Sequence, residues 1–151
     1  MDDTQLWEKM REVIEEKIVF NKVLGIKVAS LAFGHVCVRI DMQEHLVGNF
    51  MHGILHGGVT AAVLDLVGGI TAWTGVMEKM KKHPTEEKVK RFAQLGTIDI
   101  RIDYLRPGRG KSFLATGTTL RVGKKIAVTR MELHNEQGVL IAAGAGTYNV
   151  G

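Results

Sequence analysis

Residues 56–70, HGGVTAAVLDLVGGI, decide how this chain is put together. Val59, Ala62, Val63, Leu66, Val67 and Ile70 recur at helical spacing, with Gly57, Gly58, Ala61, Gly68 and Gly69 among them. So many small residues lower intrinsic helix propensity. They make sense in a helix buried all round, which other backbones approach closely. The stretch also carries chemistry. A helix N-terminus offers unpaired N–H groups and a partial positive charge, and glycine lets a ligand oxygen come close to them. Gly57 and Gly58 therefore serve either tight packing or a carbonyl oxygen that gains charge in a tetrahedral intermediate.

Asp65 has no other charge near it from Gly57 to Met77, and a carboxylate on such a helix costs several kcal/mol unless partnered. It is bonded to nearby backbone, reaches the surface, or is functional. Eight residues separate it from Gly57, about two turns or ~12 Å along the axis. One chain can hardly bring both to a single carbonyl. Two chains can, if their helices lie antiparallel across a two-fold axis.

Outward from this helix, Leu6, Met10, Val13, Ile14 and Ile18 predict an amphipathic helix over 5–19. Residues 26–33 and 35–42 read as two strands meeting at Gly34, with Val36, Val38 and Ile40 on one face. Residues 43–55 form a long connection. Beyond the central helix, 77–82 lead out, and Thr85 resembles an N-cap opening a short helix that Gly96 stops. Ile98, Ile100, Ile102 and Tyr104 alternate with Asp99, Arg101 and Asp103, and strands over 111–121, 125–134 and 139–150 follow. Long antiparallel strands with one central apolar helix predict a single α+β domain over 1–151, its sheet wrapped around that helix.

The apolar fraction of 45% and charged fraction of 24% are ordinary for a globular protein. One cysteine, Cys37, excludes a disulfide framework. The opening Met1-Asp2-Asp3 does not resemble a secretory leader. Apolar runs are broken by charge or glycine before ~20 residues. A cytoplasmic protein without membrane insertion is expected. Residues 1–100 carry 12 basic and 13 acidic side chains and 101–151 carry 8 and 3, so the last third supplies the whole +4 excess. No aromatics interleave with these cations, which speaks against nucleic acid. Arg106, Arg109, Lys111, Arg121, Lys124 and Lys125 fall at strand ends and turns, either as a solvated surface or as a group that binds phosphates.

His56 either positions a substrate carbonyl or anchors its loop. His52 and His56 have a metal-ligand spacing, but Gly53 intervenes and no third ligand is evident, so neither metal nor cofactor is expected. Thr97 either orients a water or is simply a good strand former.

The order of elements, with His56-Gly57-Gly58 opening the helix and Asp65 within it, resembles the PaaI-like branch of hotdog-fold thioesterases. Gly48-Asn49, Ile54-Leu55-His56-Gly57-Gly58-Val59, Gly96-Thr97-Ile98-Asp99 and residues 103–110 are similar to the bacterial medium/long-chain acyl-CoA thioesterases within it. The resemblance implies a homodimer of hotdogs, often paired into a homotetramer, that hydrolyses acyl-CoA at a site between subunits. It implies Asp65 as base or nucleophile and the Gly57 N–H as the group polarising the thioester, with His56 shaping that site. Thr97 falls where relatives orient water. Asn49 is the nearest counterpart of a loop asparagine, from a loop that is one residue longer here than in some relatives. Gly58, Arg106, Arg109, Arg121, Lys124 and Lys125 complete the expected substrate-binding set. The rival expectation is a noncatalytic acyl-CoA-binding or regulatory hotdog protein.

Overall fold

The computed structural model describes residues 3–151; Met1 and Asp2, which carry part of the argument against a leader, lie outside it. Six antiparallel strands form one sheet: β1 (Lys27–Ala32), β2 (His35–Asp41), β3 (Gly96–Tyr104), β4 (Ser112–Val122), β5 (Ile126–Asn135) and β6 (Leu140–Asn149). Their order is β1-β2-β4-β5-β6-β3. The sheet curls around the long helix α3 (Gly57–Lys79), which is the hotdog arrangement the sequence predicts. Val36, Val38 and Ile40 of β2 all point inward, with Phe113, Ala115, Met131 and Leu133 from the neighbouring strands. Apart from Ala115, each such side chain contributes about 1.5–3 kcal/mol by leaving water.

Two glycines set how close helix and sheet come. A Cβ on Gly117 of β4 would overlap Thr71 and Val67, and one on Gly68 would overlap the Tyr148 hydroxyl. The small residues thus let α3 lie directly on the strands. Their helix is long and apolar enough to cross a membrane, against the expectation that apolar runs stop short, yet most of it is enclosed by the protein. It also runs further than expected, through Met77 to Lys79, with Met80 as a buried C-cap. Nor is it buried all round: Val67 to Met77 are buried, but Gly57 and Gly58 are exposed and Ala61, Ala62, Asp65 and Leu66 only half-buried. Thr71 Oγ1 and Trp73 Nε1 are buried with no hydrogen-bond partner among the described residues.

The N-terminal helix departs from its prediction. It divides into α1 (Asp3–Glu12), a wide π-type turn over Val13–Lys17 and a separate α2 (Val19–Leu24). The Asn21 amide donates to the Ile14 carbonyl at 2.8 Å, and the Ile18 N–H reaches back to Val13 at 3.1 Å. Those two bonds take the place of α-helical continuation. The segment closes one sheet edge: Glu15 accepts from the Val28 N–H at 2.7 Å, and Arg11 donates to the Val28 carbonyl. At the other edge, β3 pairs only with β6, and its outer backbone groups have no partner among the described residues. The short helix α4 (Thr85–Ala93) is capped by Pro84, whose carbonyl accepts from Glu87 and Lys88, so Thr85 is its first residue instead of its cap.

Candidate active site

The connection before α3 is pinned at both ends. Val47 pairs with Leu55, the His56 N–H donates to Leu46 at 2.8 Å, and the Leu55 N–H donates to Gly108 at 2.9 Å. This delivers His56 in an extended conformation (φ −62°, ψ 133°) as the N-cap of α3. Its Nδ1 accepts from the Gly58 N–H at 2.7 Å, which leaves the ring proton on Nε2. The Val59 and Thr60 N–H groups both donate to the His56 carbonyl, at 3.0 and 3.2 Å. A helix start has four N–H groups without helical acceptors. Here three are taken, those of His56, Gly58 and Val59, and the Gly57 N–H alone has no partner among the described residues. It is exposed, beside a cavity of about 370 Å³ lined by Leu55, Gly57, Thr60, Tyr104, Arg106 and others. That is within the roughly 300–1,000 Å³ usual for small-molecule sites. The Tyr104 hydroxyl donates to the Gly57 carbonyl at 2.9 Å and holds this turn against β3.

Asp65 is half-buried two turns further on. Its Oδ1 accepts from Thr97 Oγ1 at 2.9 Å and from the Tyr148 hydroxyl at 3.3 Å; the same hydroxyl lies 3.2 Å from the Asp65 carbonyl. Oδ2 accepts nothing among the described residues. The carboxylate is therefore held by one oxygen and presents the other. Burial, the Asp65 charge and this hydrogen bond all push the Tyr148 phenol well above its ordinary range, so it remains a donor.

Thr97 reaches Asp65 because of a β-bulge. Thr97 pairs with Tyr148 but Asp99 pairs with Thr147, which leaves Ile98 as the extra residue. The bulge puts Thr97 on the inner face beside Tyr148, although strict alternation assigns it to the face of Asp99. Ile98, expected inward, is 56% exposed.

The other expected residues are spread more widely. Asn49 Oδ1 accepts from the Met51 N–H at 3.1 Å in the exposed loop tip, so its side chain closes its own turn. His52 stands in the same tip, and no group of three potential metal ligands occurs among the described residues. The basic residues do not form one cluster within a chain. Arg106, which donates to the Leu140 carbonyl at 3.0 Å, and Arg109 lie at the Gly57 end of α3. Arg121, Lys124 and Lys125 lie at the far end, where Lys79 of the last helical turn donates to the Val122 carbonyl. A helix of 23 residues separates the two groups by ~33 Å. Tyr104 and Tyr148 were not indicated by the sequence. Tyr104 reads there as one more apolar position in an alternating strand, and nothing local links Tyr148 to an acid 83 residues away.

Comparison with known proteins agrees with the fold. The sequence profile described as Thioesterase superfamily matches residues 52–142. The medium/long-chain acyl-CoA thioesterase YigI of Salmonella typhimurium is 41% identical over 132 residues, covering 87% of this chain and 85% of that one. A crystal structure of a Shewanella oneidensis protein related to the thioesterase superfamily superposes with a TM-score of 0.94 at 47% identity, over 98% and 97% of the two chains. The PaaI protein of Escherichia coli shares the fold, with a TM-score of 0.75 at 20% identity over 95% and 91%.

Proposed function

From its membership of the thioesterase superfamily, to which the chain belongs, we propose that it hydrolyses medium- to long-chain fatty acyl-CoA to free acid and CoA. The observation that carries this reading is the Gly57 N–H, the one donor left unpaired in the first turn of α3 among the described residues. Such a donor suits an oxygen that becomes anionic in the transition state. Water adds to the thioester carbonyl as its proton passes to the free Oδ2 of Asp65, and the carbonyl oxygen accepts from the Gly57 N–H. The tetrahedral species collapses with its C–S bond broken, and CoA leaves as a thiolate that takes up a proton. Direct attack by Asp65, through an acyl-carboxylate anhydride, is the variant of the same reading.

Gly57 and Asp65 act from different chains in this proposal, because ~12 Å of helix separates them within one. The bare edge of β3 supports it, with Ile98, Tyr104 and Leu105 exposed along or just beyond that strand. Two β3 strands joined antiparallel about a two-fold axis set the Thr97 end of each beside the Tyr104 end of the other. The Asp65 of one chain then approaches the Gly57 of its partner. The same pairing brings Arg106 and Arg109 of one chain to the end of the joined sheet that holds the partner's Arg121, Lys124 and Lys125, where CoA phosphates would bind. His56 keeps the Gly58 N–H occupied and so leaves the oxygen a single defined donor. The working state is a cytoplasmic homodimer, or a pair of such dimers.

The test is Asp65→Asn, assayed by CoA release with octanoyl- to palmitoyl-CoA. Loss of a positioned base lowers kcat about 10²–10⁴-fold while folding is retained. Unchanged rates across that series would sink the mechanism. Mixing Asp65→Asn with Gly57→Pro subunits tests the shared site. A mixed dimer pairs one intact Asp65 with one intact Gly57, so activity returns on mixing if the two act across the interface.

A further inference from the structure

Asp65 meets one group at the surface and one in the core. Thr97 is exposed, whereas Tyr148 of β6 is 1% exposed and its hydroxyl ends in a slot between α3 and the sheet. Two glycines on different elements make that slot. A Cβ on Gly68 of α3 or on Gly146 of β6 would overlap the Tyr148 hydroxyl and the ring carbon that bears it. Glycine weakens the interior of a helix or strand, so two of them facing one hydroxyl single that group out. Thr129, also buried, faces it from β5, and Asp65 is the charged group that acts on it. Beyond Thr97 and Tyr148, the Asp65 side chain has no partner among the described residues. The Tyr148 hydroxyl has one proton and two acceptors on the same residue, 3.3 Å to Asp65 Oδ1 and 3.2 Å to the Asp65 carbonyl oxygen.

We propose that Tyr148 is a positioning residue for Asp65, its hydroxyl donating to Oδ1 while the carboxylate is charged and to the Asp65 carbonyl oxygen while Oδ2 holds a proton. The inference rests on the reading of Asp65 as the base. The phenol keeps its own proton throughout, and only its acceptor changes. A donor makes its stronger bond to a charged oxygen, so the ionised side chain is held with Oδ1 inward and Oδ2 free. Once Oδ2 has taken a proton from water, that attraction falls. A buried O–H without an acceptor is costly, and the carbonyl supplies one with the ring still in its slot. Thr97 can turn to water at that moment; Tyr148, enclosed, cannot. The core donor is thus satisfied in both states of the base, which spares the site a rearrangement during the reaction.

The experiment follows the Asp65 carboxyl itself, by carbon NMR of protein labelled at its aspartates, with the signal assigned by its loss in Asp65→Asn. Tyr148→Phe keeps the ring in its slot and removes the hydroxyl alone. Hydrogen bonds to a carboxylate favour its charged form, so the Asp65 signal is expected to titrate at higher pH in Tyr148→Phe than in the parent. An unmoved signal overturns the proposal even if kcat is lowered, because a packing defect alone does that. With decanoyl-CoA, kcat is expected to fall about tenfold or more while KM holds, and the acid limb of kcat/KM moves by the same interval as the signal. In an active enzyme, a kcat within about two-fold of the parent overturns the proposal as well. A limb that stays while the signal moves, or a parent that releases no CoA, refutes Asp65 as the base and leaves its hold by Tyr148 standing, so the two failures are told apart. Should Tyr148→Phe fail to fold, fluorotyrosine incorporated into Tyr104→Phe, where Tyr148 is the one tyrosine left, makes the phenol a stronger donor. The signal is then expected to move to lower pH, and no movement or the opposite one overturns the proposal.

Discussion

Gly57→Pro separates the chemistry of the helix start from its folding. Gly57 is the first residue of α3, the position where proline is best tolerated, because the N–H it removes has no helical acceptor. His56 already has the extended backbone that a following proline requires. The new side chain is not driven into the core: a Cβ at Gly57 comes no nearer than 3.4 Å to the Tyr104 ring, an ordinary contact. No hydrogen bond within the described residues is lost. Restricting the unfolded chain adds about 0.4–1 kcal/mol, so the melting temperature is expected to hold or rise by ~1–4 °C. The rate falls much further. Losing one preorganised oxyanion donor costs about 2.7–4 kcal/mol, or 10²–10³ in kcat. The assay is thiol-reagent detection of CoA released from decanoyl-CoA, beside a thermal melt of the same preparation. Gly57→Ala, which keeps the N–H and adds only the tolerated Cβ, is the control and retains most activity. A proline variant with kcat within a few-fold of the parent would refute the assignment of that N–H.

The remaining expectations concern pH and the hydrogen bonds around Asp65. The folded-state phenol of Tyr148 is raised, so its contribution is present below the unfolded tyrosine value of about 10 and is lost as pH rises beyond it. Tyr148→Phe should flatten the alkaline fall in melting temperature, and an unchanged slope would contradict the buried bond. Glu136 behaves in the opposite sense. Its carboxylate is held below its ordinary range chiefly by the Lys111 N–H, with its own and the Ser112 N–H assisting, so its contribution is present above the unfolded value and is lost as pH falls. Glu136→Gln should reduce the loss of melting temperature on acidification, as measured by calorimetry between pH 3 and 6. Thr97→Val removes the 2.9 Å bond that orients Asp65 Oδ1. It should lower kcat about tenfold or more with little change in KM, and equal effects on both would point to substrate contact.

The central helix, its glycine start and the isolated acid were legible because they depend on local periodicity and on one charge in an apolar run. Strand alternation placed Val36, Val38 and Ile40 correctly for the same reason. Failures came where the outcome depends on partners distant in sequence. Thr97 reads outward until the extra residue Ile98 shifts the phase of β3. Asn21 and Ile14 end the first helix through a bond that helical spacing does not announce. The six basic residues read as one group by nearness in sequence, but β4 carries the chain across the whole sheet between Arg109 and Arg121. Tyr148 needed the close approach at Gly68 before its hydroxyl could reach Asp65.

The two borders of the sheet differ in a way that bears on how large an assembly can become. One border is held at Val28 by Glu15 and Arg11, side chains of the same polypeptide, while the β3 border is bare among the described residues. A strand with unpaired backbone on both sides of a sheet invites end-to-end growth into fibres. In the proposed dimer, joining at β3 would use the bare border of each copy and leave outermost the two borders that are held at Val28. Growth of the sheet beyond that pair would then have to displace the Glu15 and Arg11 side chains from Val28, which makes this polar contact a brake on edge-to-edge polymerisation in the proposed assembly.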